Sequence, residues 1–123
     1  MLLNFSRKEI ECFCGCGGVI EDEVFLNNLQ RLRGIYGRPM ILTSAYRCPE
    51  YNATVSSTGL NGPHTQAAVD VRVFGEEAYR LLWMAISQGF TGIGVQQKGR
   101  WSARFLHLDM LRDENRPRVW SYP

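Results

Sequence analysis

Apolar positions recur along the chain with the period of an α-helix in two long segments. The first helix is predicted between the acidic run Glu21–Glu23, which suits the positive end of a helix, and Gly37, which ends it. Its apolar stripe has spacings of four, three and four and consists of Phe25, Leu29, Leu32 and Tyr36. A second helix is predicted from about Glu76 to Gln88, closed by Gly89. Its apolar face consists of Ala78, Leu81, Leu82, Ala85 and Ile86.

Strands are predicted where apolar residues alternate with polar ones or form short β-rich runs. The strand segments are Met40–Ala45, which we expect to be buried, Val69–Val73, Thr91–Gln96 and Arg104–Met110. Two short helical segments are also predicted, at the capping-box sequence Ser6–Glu9 and from Pro49 to about Val55. Because helices and strands mix without βαβ regularity, residues 1–123 are predicted to form a single small α+β domain. Its helices should pack on a mostly antiparallel sheet.

The only two histidines of the chain, His64 and His107, each lie a few residues from an aspartate. The three valines of Val69–Val73 should face the core, which directs Asp70 away from it. His107 lies on the strand face opposite to that of its two neighbouring leucines. Adjacent strands could therefore present Asp70 and His107 on one side of the sheet. Two imidazoles and a carboxylate are the protein ligands that a catalytic zinc needs when its fourth position stays open for water. Spacing alone also allows three unrelated residues: an edge carboxylate, a core histidine and a loop histidine.

Several separated blocks occur in a fixed order between about Phe5 and Tyr122: Thr43–Asn52, Gly62–His64, Ala68–Asp70, Phe105–Asp109 and Arg116–Tyr122. In these blocks the sequence resembles the zinc D-alanyl-D-alanine carboxypeptidase family, which includes peptidoglycan peptidases of phages and prophages. The resemblance implies a hedgehog/DD-peptidase-like fold and one catalytic zinc held by His64, Asp70 and His107. It also implies cleavage of peptidoglycan stem peptides, at or near D-Ala-D-Ala, by a zinc-activated water.

The same resemblance suggests roles for residues around the zinc ligands. Arg47 would hold the carboxylate of the substrate or polarise its carbonyl, although without the family context it could be a surface arginine paired with Glu50 or a helix end. Ser44 and Tyr46 could line the same cleft, but Tyr46 could equally pack in the core. Asp109 shares a strand face with His107 and is the nearest candidate for the general base. It could equally hold the second ring nitrogen of His107, or be a plain surface carboxylate.

Two departures from the family pattern concern the site itself. The family places six residues between the first histidine and the aspartate, with a glycine third after the histidine. Here five residues intervene and Ala67 stands in place of that glycine, so we expect the loop before the strand to absorb the loss. Many relatives carry an acidic residue three positions before the second histidine, where this chain has Arg104. These departures motivate an alternative: a catalytically degenerate member that binds cell wall or serves as a phage structural module.

The four cysteines have three interpretations. Cys12, Cys14 and Cys16 lie in a glycine-rich run, and Cys48 follows Arg47. They could hold a second, structural zinc, although alternation by two is not the usual C-x₂-C spacing. Cys48 could instead form a disulfide with one of the other three if the protein matures outside the cytoplasm. The interpretation that we favour from sequence is reduced, partly buried thiols.

Composition argues against a nucleic-acid partner, while the family resemblance implies a peptidoglycan peptide substrate. The net charge is +2, and no basic cluster with interleaved aromatic residues indicates binding to nucleic acid. We expect no membrane span and a monomer. The opening Met1–Phe5 is too short for the apolar region of an export signal. We therefore expect cytoplasmic synthesis, and action on the cell wall after phage-type release or as a virion component.

Overall fold

Five strands form one sheet in the computed structural model, which describes residues 3–123. They are β1 (Ile41–Ser44), β2 (Ala68–Arg72), β3 (Gly92–Gln96), β4 (Phe105–Asp109) and β5 (Arg118–Ser121). The strand order across the sheet is β1-β2-β4-β3-β5, with antiparallel pairing everywhere except between β3 and β5, which are parallel. The prediction of a small α+β domain with a mostly antiparallel sheet is confirmed.

The α-helices of the described residues lie close to their predicted positions. They are α1 (Arg7–Ile10), α2 (Glu23–Tyr36), α3 (Pro49–Val55) and α4 (Gly75–Ser87). Ser6 and Glu9 form the expected capping box at the start of α1. Asp22 caps α2, which ends where Gly37 adopts a left-handed φ of 72°. Within residues 3–123, no helix is both long enough and apolar enough to cross a membrane.

The core lies between the valine face of β2 and the apolar stripes of the two long helices. Val69, Val71 and Val73 are buried, as strand alternation predicted. The α2 stripe is likewise buried, with Tyr36 packed at its margin. In α4 the buried stripe is narrower than predicted, since Ile86 remains 57% exposed. The sheet covers one side of that helix, so a residue at the margin of its apolar face stays in solvent.

β1 is an edge strand, and the prediction that it would be buried was wrong. It pairs with β2 alone, and Ile41 is 49% exposed. A short apolar run is compatible with both central and edge positions, because the order of strands depends on residues far away in sequence.

β5 was not predicted. Val119 on this strand is 65% exposed, so Arg118–Ser121 has no apolar face for an alternating pattern to reveal. Its pairing with β3 places Trp120 opposite Gly94. Gly94 in turn pairs with His107 on β4, and His107 pairs with Asp70 on β2. One row across the sheet therefore brings Trp120 beside the two predicted ligands.

Candidate metal centre

His64, Asp70 and His107 meet at one point above the sheet. The pairing of Asp70 with His107 across β2 and β4 puts both side chains on the same face. Nε2 of His64, Nδ1 of His107 and Oδ1 of Asp70 form a triangle in which each pair of atoms is 3.2 Å apart. All three residues are buried, and no other His, Asp or Glu group of this kind is found among the described residues.

In both histidines, the ring nitrogen that faces away from this triangle contacts an oxygen acceptor elsewhere. Nδ1 of His64 lies 2.6 Å from the carbonyl oxygen of Ala45, and Nε2 of His107 lies 2.8 Å from Oδ2 of Asp109. A nitrogen that faces an oxygen acceptor carries the proton, which leaves the other nitrogen of the neutral ring with a free lone pair. With a cation at the centre these two lone pairs would become its ligands, whereas in a protonated ring the same nitrogens donate to Oδ1 of Asp70.

The donor set and its spacing suit zinc. Zinc binds nitrogen and oxygen ligands at about 2.0–2.1 Å in tetrahedral geometry, which separates neighbouring ligand atoms by about 3.3 Å. The observed separations of 3.2 Å match that value. Three protein ligands leave a fourth tetrahedral position, and His64, Asp70 and His107 all line a cleft through which a substrate could reach it.

The shortened connection between His64 and Asp70 is accommodated before the strand begins. Pro63–Thr65 forms one turn of 3₁₀ helix, in which the amide of Gln66 donates to the carbonyl of Pro63. The chain then enters β2 at Ala68 with the valines still facing the core. The prediction that the loop would absorb the missing residue is confirmed, and the ligands converge despite the loss.

Asp109 lies behind His107, on the side away from the cleft. Its side chain is fully buried, and it receives two hydrogen bonds from Arg116, Nε to Oδ1 at 3.0 Å and Nη2 to Oδ2 at 2.9 Å. The amide of Leu111 also donates to Oδ1. These contacts favour the alternative in which Asp109 holds the imidazole, while a catalytic role stays untested. Arg116 was not predicted, because an arginine in a C-terminal loop gives no periodic signal.

In this cluster, hydrogen bonds and opposite charges affect the pKa values more strongly than burial does. Burial alone would raise the pKa of Asp70, but hydrogen bonds from His107 and His64 hold it well below its usual range. Burial likewise acts to raise the pKa of Asp109, and His107 with Arg116 reverses the effect. The pKa of His107 is raised, since bonds to Asp109 and Asp70 exceed the opposing effect of burial. The centre therefore presents carboxylate anions, which attract a cation.

Two glycines of β3 make room for this cluster. A Cβ atom at Gly92 would collide with the carboxylate of Asp109, and one at Gly94 would lie 2.9 Å from Cβ of His107 and 2.8 Å from Nε1 of Trp120. Glycine within a strand often marks such a close approach. The sequence Gly92–Gly94, with glycine at alternate positions, was the available signal that this face of the sheet is crowded.

Replacing Gly92 with alanine is expected to destabilise the fold by about 1–3 kcal/mol and to weaken zinc binding, because the added methyl group displaces Asp109. Urea unfolding and zinc titration measure the two effects. Gly34→Ala on α2 is the matched control, since its Cβ would meet nothing within 4 Å, and we expect it to add roughly 0.5–1 kcal/mol of stability. Unchanged zinc affinity in Gly92→Ala would show that the position of Asp109 does not matter to the centre.

Arg47 lies beside the centre, at the exit of β1. Its Nη1 donates to Oδ1 of Asn52 at 3.1 Å, and its Nη2 lies 3.9 Å from Oδ2 of Asp70. Its backbone amide donates to the carbonyl of His64, so one segment holds both residues. Asn52 is buried on α3 and was not singled out from the sequence. It orients the guanidinium toward the cleft that Arg47 lines.

Ser44 and Tyr46 line a smaller depression of about 120 Å³, which shares Arg47 with the cleft over the candidate centre. Ser44 is buried, and the ring of Tyr46 packs against Gly18. Their predicted role in substrate binding is untested.

The cleft over the centre has a volume of about 730 Å³. One wall is the loop that leads to His64, and the other is the segment from Leu111 to Tyr122. The ring of Trp120 lies 5.0 Å from that of His107, and the guanidinium groups of Arg116 and Arg118 lie 5.1 and 5.2 Å from the Trp120 ring. The cleft therefore combines aromatic surface with positively charged side chains.

These features define a class of protein: a small α+β domain with a candidate His₂Asp metal centre at the base of an open cleft. The comparison with protein families gives the particular family. The Peptidase M15 family model matches residues 3–109, and the chain belongs to this family of zinc D-alanyl-D-alanine carboxypeptidase-type metallopeptidases. No curated protein and no solved structure matches the chain. The predicted family resemblance is thereby confirmed.

Proposed function

We propose that this protein is a zinc peptidase that cleaves peptidoglycan stem peptides at or near their D-alanyl-D-alanine end. The observation that carries the proposal is the convergence of three metal-binding atoms beside an arginine within one cleft. Peptidoglycan stem peptides end in a free carboxylate, and a guanidinium is the side chain best suited to bind one. Membership of a metallopeptidase family supports hydrolysis of a peptide bond.

Each residue of the site has a distinct part in this mechanism. Zinc held by His64, Asp70 and His107 would activate a water molecule and polarise the scissile carbonyl. Arg47 binds the terminal carboxylate of the substrate, and Asn52 fixes the orientation of the guanidinium. Asp109 keeps the proton of His107 on Nε2, so that Nδ1 remains a ligand.

The direct test is incubation of the zinc-loaded protein with purified muropeptides, followed by chromatography of the products. We expect release of D-alanine from uncross-linked pentapeptides, loss of the activity on chelation, and its recovery when zinc is restored. Cross-linked dimers serve as a second substrate that separates carboxypeptidase from endopeptidase action. A zinc-loaded protein that cleaves neither substrate would contradict the proposal.

Replacing Arg47 with lysine should lower kcat/KM by about 10- to 100-fold, because a charged two-pronged hydrogen bond contributes roughly 1.5–3 kcal/mol. The loss should fall mainly on KM and should shrink for a substrate whose terminal carboxylate is amidated. Arg31→Lys, on the exposed face of α2, is the matched control. Equal losses on the acid and the amide would exclude binding of the terminal carboxylate by Arg47.

A second candidate function is a non-catalytic module that binds cell wall or belongs to a phage structure. Arg104 supports it, because relatives carry an acidic residue at that position and the side chain here donates to the carbonyl of Gly99. This candidate predicts zinc binding and co-sedimentation with peptidoglycan without release of any peptide product. The muropeptide assay therefore separates the two functions.

A further inference from the structure

The four cysteines, which the proposed function does not use, lie together at a second place in the molecule. Cys12, Cys14 and Cys16 come from the turn after α1, and Cys48 precedes α3. Their four sulfur atoms all lie within 4.8 Å of one another, and none forms a disulfide. Residues 34 positions apart are thus brought together: Sγ of Cys14 is 3.7 Å from Sγ of Cys48 and Sγ of Cys12 is 3.4 Å from Sγ of Cys14.

These separations are those of a tetrahedral thiolate site. A zinc–sulfur bond of about 2.3 Å places neighbouring sulfur atoms about 3.8 Å apart. The two distances between adjacent sulfurs are close to this value, and the longest separation needs less than about 1 Å of adjustment. A single disulfide among the four would leave two thiols facing the sulfur–sulfur bond, whereas one metal ion uses all four.

Backbone amides donate hydrogen bonds to three of the four sulfur atoms. The amide of Gly18 donates to Sγ of Cys16, the amide of Cys48 donates to Sγ of Cys12, and the amide of Tyr51 donates to Sγ of Cys48, each at 3.4 Å. Donors of this kind stabilise negative charge on sulfur, as metal-bound thiolates require.

Two glycines explain why a C-x-C-x-C spacing can gather its sulfurs. Gly15 and Gly17 both have a φ of +85°, which reverses the chain between and after the cysteines. The amide of Cys12 donates to the carbonyl of Gly18 and closes the turn. The sequence interpretation favoured free thiols because alternation by two differs from C-x₂-C, but the glycines supply the curvature that the wider spacing normally provides.

We propose that Cys12, Cys14, Cys16 and Cys48 bind a second zinc ion, in a closed structural site that fastens the N-terminal turn to the start of α3. Four thiolates fill the tetrahedral coordination of zinc and leave no position for a substrate. Cys48 directly follows Arg47, and α3 carries the Asn52 that binds Arg47. The metal would therefore also hold the arginine in place, a consequence that rests on the proposed function.

Metal content tests the site without reference to activity. Purified, zinc-replete wild-type protein should contain two zinc ions per chain. His107→Ala should contain one, and so should Cys14→Ser, whose exposed side chain can change without a hole in the core. With cobalt in place of zinc, the thiolate-to-metal charge-transfer absorption should persist in His107→Ala and disappear in Cys14→Ser.

Phe13→Ser is the matched control, because it changes an exposed residue of the same turn and removes no sulfur. It should keep both zinc ions, and circular dichroism verifies that each variant is folded. One zinc in the wild type that disappears in His107→Ala would overturn the second site. So would four thiols that react freely with a thiol reagent in the zinc-replete native protein, or a disulfide detected by mass spectrometry. Thiol reactivity and the thiolate-to-metal absorption report on the cysteines alone. The second zinc site and the peptidase activity can therefore fail independently.

Discussion

Replacement of His107 by alanine is expected to remove zinc from the cleft and abolish hydrolysis of peptide substrates. His107 supplies one corner of the triangle of donors, and its ring is buried with Asp70 on one side and Asp109 on the other. In structural zinc sites four ligands share roughly 10–16 kcal/mol, or about 3 kcal/mol each; because this centre would keep only two of its three ligands, zinc affinity should fall by at least about two orders of magnitude. Competition with a chromophoric chelator measures the change in dissociation constant.

His107→Gln tests whether the loss comes from the ligand or from the cavity. Glutamine fills much of the same volume, so the fold should be stabler than in the alanine variant, while zinc affinity should remain low. Gln88→Ala, at the C-terminal end of α4 and far from the centre, is the control and should keep the zinc affinity of the wild type. Zinc binding that survives in both His107 variants would disprove the assignment of the centre.

Asp109→Asn should weaken zinc binding by about 10- to 100-fold, as expected when the partner of a ligating histidine loses its charge. Asp109→Ala should in addition destabilise the protein by about 3–5 kcal/mol, because it leaves Arg116, whose side chain is only 7% exposed, without its carboxylate. Zinc titration gives the first value, and urea unfolding of the metal-free protein gives the second. Glu114→Gln, an exposed change in the loop that carries Arg116, is the matched control.

The Asp109 variants also decide between the two chemical roles predicted for this residue. If Asp109 holds His107, activity lost in Asp109→Asn should return at saturating zinc, because the defect is one of affinity. A general base would give the opposite result: full zinc occupancy with a kcat that stays low at every zinc concentration. The double variant Asp109→Asn with Arg116→Met should be stabler than Asp109→Ala, since it removes the unpaired cation.

Most of the centre was predictable from local sequence. Strand alternation alone placed Asp70 and His107 on the face opposite the valines, because a period of two fixes which side each residue occupies. The pairing of the two strands then followed from the family resemblance. Even the effect of the missing residue before Asp70 could be reasoned out, since a slip inside β2 would have turned its valines into solvent.

The surroundings of the centre depended on contacts that no local pattern encodes. Arg116 reaches Asp109 only because the chain returns toward the sheet after β4. β5 pairs with β3 through backbone hydrogen bonds, and its exposed Val119 gives no sequence signal of a strand. The edge position of β1 is a property of strand order. The cysteine cluster needed the left-handed turns at Gly15 and Gly17, whose effect on sulfur positions cannot be read from spacing.

His64 and His107 are 43 positions apart in the chain, and this separation affects the stability of the protein in different surroundings. An unfolded chain cannot keep such distant side chains together, so zinc held by them would bind the native state selectively. Each tenfold rise in free zinc above the dissociation constant then adds about 1.4 kcal/mol to the free energy of unfolding. The thermal midpoint and the resistance to proteolysis thus become functions of the ambient metal supply, and a zinc-poor compartment would shorten the lifetime of the protein before it met any substrate.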